Sequence, residues 1–161
     1  MEKIKPSIEG EFKFSLDKYP YLKEQQINQA SAQFIKSQYP SKFNHTKEKI
    51  EFSNGLFRLK VNRGRNILRA FDKGVVTTQV NNKHLIVSYK GTLKRGLAIS
   101  ALHTLIVIIV FAFAVPTGIY FSPLFFILNY FLQIYLTHLV FPMNFGKALH
   151  EKLIELKDEN S

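Results

Sequence analysis

Two sets of polar residues stand out because everything around them is apolar. Ser100, His103 and Thr104 fall at i, i+3 and i+4, on one face of a helix. Asn129, Gln133 and Thr137 fall at i, i+4 and i+8 on another, with His138 next to the last of them. Hydroxyls, carboxamides and imidazoles in such surroundings serve two kinds of chemistry. They hydrogen-bond from helix to helix, or they line a route for a proton, an ion or a small ligand. A carboxylate would strengthen the second reading, and none occurs between Gly96 and Gly146. Interhelical hydrogen bonding is the expectation. Counted at about 1.5 Å per residue from Leu97 and from Phe141, His103 and His138 lie within roughly 10 Å of the same helix ends, which predicts that their faces meet.

Other site chemistries fail on spacing. His150-Glu151 opens like a zinc-protease helix, but the fifth position is Ile154, so the second ligand is missing. His45 and His84 have no carboxylate at ligand spacing, and Gly64 and Gly74 stand alone in turns rather than in a phosphate-binding loop. The chain has no cysteine, which excludes disulfides, thiolate metal sites and cysteine nucleophiles and suits a reducing compartment. No catalytic set, metal site or cofactor signature emerges, and a non-enzymatic role is expected.

The element that must position the polar residues is a run without Asp, Glu, Lys or Arg from Gly96 to Gly146. A bilayer core takes about 20 helical residues, so the run is too long for one span and suits two. Val115-Pro116-Thr117-Gly118 supplies a turn between them. Ser122-Pro123 reads as N-cap and first helical residue, and Phe141-Pro142 as an exit. The expected spans are 97–115 and 123–141, with Tyr120 and Phe121 at the outer interface. Lys90, Lys94 and Arg95 precede the first span and Lys147 follows the second, while the connection between them is uncharged. Both termini are therefore expected in the cytoplasm, with those four basic residues at the level of anionic headgroups. The N-terminus lacks the apolar run of a signal peptide. Beyond the spans, Phe145, Leu149, Leu153 and Leu156 form one stripe of a short amphipathic helix within 147–161, lying on the bilayer or on the domain before the spans.

That domain, 1–95, carries 19 Lys and Arg against 8 Asp and Glu. Beside a membrane hairpin, the positive charge points to a lipid surface rather than to nucleic acid, for which no binding motif is present. Phe12, Phe14 and Leu16 alternate with Lys13 and Ser15 as in a strand. A helix is expected from about Tyr21 to Gln38, stopped by Tyr39-Pro40. Asn54-Gly55 between alternating runs predicts a two-residue hairpin with Phe52 opposite Phe57 and Glu51 opposite Arg58. Strands are expected again over 66–71, 75–80 and 83–90. The fold class is α+β: a strand and helix, a five-stranded antiparallel meander, then the helical hairpin and the amphipathic helix.

The stretch EFSNGLFRLKVNRGRNILRAFDKGVV, followed by LIVSYKGTLKRGL, resembles small uncharacterised bacterial inner-membrane proteins with a β-rich cytoplasmic domain. The resemblance covers about 51–97 and implies a membrane-tethered domain without an assigned activity. The resulting expectation is an interaction or assembly subunit of the inner membrane, a homo-oligomer or a partner of another membrane protein. Its rival is an oligomerising, membrane-disrupting or channel-forming effector with the β-rich domain as sensor.

Overall fold

Alternation governs the sheet. Strand β1 (Ser7–Ser15) buries Ile8 and half-buries Phe12 and Phe14, while Glu9, Glu11 and Lys13 face solvent. The same period recurs in β3 (Lys49–Ser53), β4 (Lys73–Asn81) and β5 (His84–Thr92), whose buried residues include Ile50, Phe52, Val76, Leu85, Val87 and Tyr89. One face of the sheet is therefore apolar and the other polar. The computed structural model describes residues 7–55, 67–114 and 122–159.

All pairing in the five-stranded sheet is antiparallel, in the order β1-β5-β4-β3-β2. Strands β2 to β5 form a meander, and β1 completes the sheet by pairing with β5 along its whole length, from Ser7 opposite Thr92 to Ser15 opposite His84. The β4–β5 turn is Asn82-Lys83, with Asn82 at φ 51°, a conformation asparagine tolerates.

Three local expectations give way. The polar connector after the first helix contains strand β2 (Lys42–His45), which pairs with β3 and half-buries Phe43. The strand expected over 66–71 is not found in its described part: Ile67–Ala70 is a 3-10 turn that buries Leu68 and Ala70. The Asn54-Gly55 hairpin is also replaced. Both edges of β3 are occupied, with Phe52 opposite Phe43 of β2 and Gly74 of β4, so both positions beside Phe52 are already filled. Phe57, Arg58 and Leu59 lie outside the described residues. Asn54 is instead buried, its Nδ2 donating to the carbonyls of Leu68 at 3.1 Å and Phe71 at 3.2 Å.

Helix α1 (Glu24–Ser37) packs on the apolar face with Ile27, Ala32 and Ile35. It begins after Lys23, whose N–H donates to the Gln26 side chain at 3.3 Å, and stops before Tyr39, which takes φ 52° ahead of Pro40. Helix α2 (Lys94–Ala114) follows β5 at once. Its first N–H, at Lys94, donates to Asp72 Oδ1 at 2.9 Å, so a residue 22 positions earlier caps it.

Helix α3 (Ser122–Asp158) is continuous over 37 residues, with Pro142 inside it. The expected exit at Phe141-Pro142 and a separate amphipathic helix are therefore corrected. Proline costs a helix one hydrogen bond. Burial offsets that loss here, because Phe141 and Phe145 enter the domain core on either side of Pro142. Phe141 lies 5.1 Å from Phe71 and 5.1 Å from Tyr89, centroid to centroid. Leu149, Leu153 and Leu156 continue the same buried stripe. The second half of α3 is thus a core helix of the sheet domain.

Candidate functional site

Helices α2 and α3 pack side by side and run in opposite directions, since Gly96 neighbours Gln133 while His103 neighbours Asn129. Their outer surface is apolar. On α2, Leu105, Ile106, Ile109 and Val110 are exposed; on α3, Leu128, Phe131, Leu132, Tyr135, Leu139 and Met143 are, with Phe131 and Tyr135 each 64% open. Among the described residues, α3 is the one helix long and apolar enough to cross a membrane, with a mean hydropathy of 1.7 over its most apolar window.

The polar residues lie where these helices meet. Thr104 Oγ1 donates to the Ser100 carbonyl at 2.9 Å, and Thr137 Oγ1 to the Gln133 carbonyl at 2.8 Å. Both threonines are thereby satisfied within their own helices. Ser100 is fully buried, and its Oγ has no hydrogen-bond partner among the described residues. The contact between helices pairs Asn129 Nδ2 with His103 Nδ1 at 3.5 Å, and within α3 Gln133 Nε2 donates to Asn129 Oδ1 at 3.4 Å. His103, Asn129 and Gln133 are all half-buried.

His138 does not join them. It is exposed, and the partner of His103 is Asn129. The cause is the corrected end of α3. Its helix runs on into the sheet domain, so α2 begins beside Gln133 rather than beside Phe141. His138 sits nine residues from Asn129, about 13 Å along the axis.

The basic set also divides. Lys90 pairs with Glu9 at 3.1 Å and Lys147 with Glu151 at 3.9 Å, all on the surface. Lys94 is exposed. Arg95, expected beside it at headgroup level, is turned inward and only 8% exposed. Its position one residue on from Lys94 rotates it about 100° around α2, toward the domain.

Elsewhere, a polar groove of about 650 Å³ runs between α1 and the β2–β3 turn, lined by Gln25, Gln29, Gln33, Lys36 and His45. At its base Asn28 Nδ2 donates to the Thr46 carbonyl at 3.1 Å and to that of Lys47, tying turn to helix. Among the described residues no three His, Asp or Glu converge as metal ligands. Sequence reasoning missed Asp72 and Asn54, because their partners are distant in sequence and no local pattern reveals them. Comparison with protein-family models, curated proteins and solved structures returns no match.

Proposed function

We propose that this chain is a non-enzymatic, membrane-tethered interaction or assembly subunit. Its basic α+β domain lies on the cytoplasmic face of a bacterial inner membrane, held by a two-helix hairpin with both termini inside. One observation carries this reading: α3 is a single unbroken helix whose first half exposes apolar side chains and whose second half fills the domain core. Such an element would be insoluble at one end and is indispensable to the fold at the other. In a bilayer the exposed leucines, isoleucines and phenylalanines find their solvent, and the domain is fixed to the surface without a flexible linker. Lys94, at the start of α2, then stands near the anionic headgroups, while Lys147 lies farther along α3 on the domain.

The test exploits the absence of cysteine. Single cysteines replacing Lys83, Thr117 or Glu159 are probed on intact cells with a membrane-impermeant maleimide. Only the Thr117 variant should react before the cells are opened. External labelling at position 83 or 159 overturns the topology.

The rival effector reading draws on the half-buried His103–Asn129 pair, which several copies would turn into a polar lining. Release of a trapped dye from phosphatidylethanolamine–phosphatidylglycerol vesicles separates the two. The subunit reading expects the vesicles to stay sealed.

A further inference from the structure

The hydrogen bonds between α2 and α3 and along α3 at this point leave a remainder. At 3.5 and 3.4 Å they are long, and they use only part of the capacity of the groups that make them. Among the described residues, His103 Nε2, the second N–H of the Asn129 amide and the second N–H of Gln133 have no hydrogen-bond partner. The Gln133 carbonyl and the second lone pair of Asn129 Oδ1 have no donor. His103 lies nine residues past Lys94 and Asn129 six past Pro123, about 13 and 9 Å along their helices, so these groups sit well inside the span. Hydrocarbon offers them nothing, and no backbone group of a helix interior is free to help.

We infer that the face formed by His103, Asn129 and Gln133 is the contact between two copies of this chain in the membrane. The inference rests on the membrane reading above and names its partner. Three features select a second copy. The unused groups include donors and acceptors close together, so two such faces related by a two-fold axis satisfy each other: His103 Nε2 of one copy meets a carboxamide of the other, which offers both a donor and an acceptor. The face carries no Asp, Glu, Lys or Arg, so it offers no fixed charge to an oppositely charged partner. It is also flanked by a flat shoulder, where Phe126 and Tyr130 on the same side of α3 stack with centroids 6.3 Å apart and planes 3° from parallel. Two such plates pack against one another over a polar centre.

The experiment uses full-length chain labelled at a cysteine replacing Lys83, in the β4–β5 turn at the opposite end of β5 from α2, with donor and acceptor dyes on separate pools. The pools are mixed in phosphatidylethanolamine–phosphatidylglycerol vesicles, and energy transfer is followed as lipid dilutes the protein. Wild type should transfer above the level set by random proximity. Asn129→Leu should weaken association by about three-fold to twenty-fold, the range for interhelical hydrogen bonds. Asn129→Gln should retain most of it, and Leu128→Ala, on the neighbouring apolar face, should match wild type. Flotation of the same vesicles keeps the two readings apart. Chain that floats without excess transfer, or transfer indifferent to Asn129→Leu, overturns the two-copy contact alone. Chain that fails to float overturns the membrane reading and this inference with it.

Discussion

Phe34 of α1 and Phe145 of α3 stack with ring centroids 5.2 Å apart and 29° between planes, joining the first helix of the chain to the last. Phe145 also meets Phe12 edge-on at 5.6 Å, so one side chain ties both helices to the sheet. Removing it leaves a cavity that three elements border. Phe145→Ala should cost about 3–5 kcal/mol of stability. Leu128→Ala, on the exposed face of the same helix, should change the unfolding midpoint little. Near-ultraviolet circular dichroism during denaturant titration of both variants checks the contrast.

Gly91 is opposite Gly74 in the β4–β5 register, and each gives its space to a ring: Phe71 over Gly91 and Phe52 over Gly74. A Cβ on Gly91 would collide with the Phe71 ring and stand 3.2 Å from the Lys73 carbonyl oxygen. Gly91→Ala should therefore destabilise the domain by about 1–3 kcal/mol. If the ring is the obstacle, adding Phe71→Leu should cost less than the two single losses together. Additive losses in that cycle would count against the contact.

Asn54 brackets three segments, through Leu68, Phe71 and the Ser41 N–H at 3.3 Å. Asn54→Ala removes a donor from two buried carbonyls, of which that of Leu68 keeps the Phe71 N–H at 3.0 Å, and should cost on the order of 1–3 kcal/mol. Asn54→Asp should be no better, since a carboxylate cannot donate to them. A hairpin turn would behave in the opposite way, tolerating aspartate readily. Thermal melts of the two variants distinguish the roles.

Burial raises the Tyr89 hydroxyl above its ordinary value. The folded chain therefore holds this proton more tightly than the unfolded chain does. The resulting stability is complete below the unfolded value of about 10 and is lost as pH rises through the higher folded value. Lysines titrate in the same range, so the comparison with Tyr89→Phe is what matters. Wild type should lose stability relative to that variant as pH rises above about 10, and parallel curves would exclude the effect.

The sequence made the periodic elements legible and hid those that depend on distant partners. Alternation located β1, β3, β4 and β5, and helical spacing put Ser100 with Thr104 and Asn129 with Gln133 and Thr137. Strand β2 escaped because it is a four-residue edge strand whose Phe43 is only half-buried. Asn54-Gly55 carries the local chemistry of a hairpin, but long-range hydrogen bonds to Leu68 and Phe71 outweigh it. Pro142 is a local helix breaker that aromatic packing overrides. That override also displaced the expected meeting of His103 with His138, because a helix register depends on where its partner helix ends.

The core helix is separated from the sheet it covers by the whole of α2 and the exposed half of α3. A ribosome delivers β5 by Thr92, yet Phe141 follows only some fifty residues later. At about 5–20 residues per second, the strip awaiting α3 stays open for roughly 3 to 10 seconds of synthesis. Phe12, Tyr89 and Phe71 are bare during that interval, with α1 shielding only the neighbouring strands β3 and β4. Maturation of the domain is thus gated by placement of the apolar helices, so a stalled or misdirected nascent chain displays an unfinished aromatic surface for chaperones or proteases to seize.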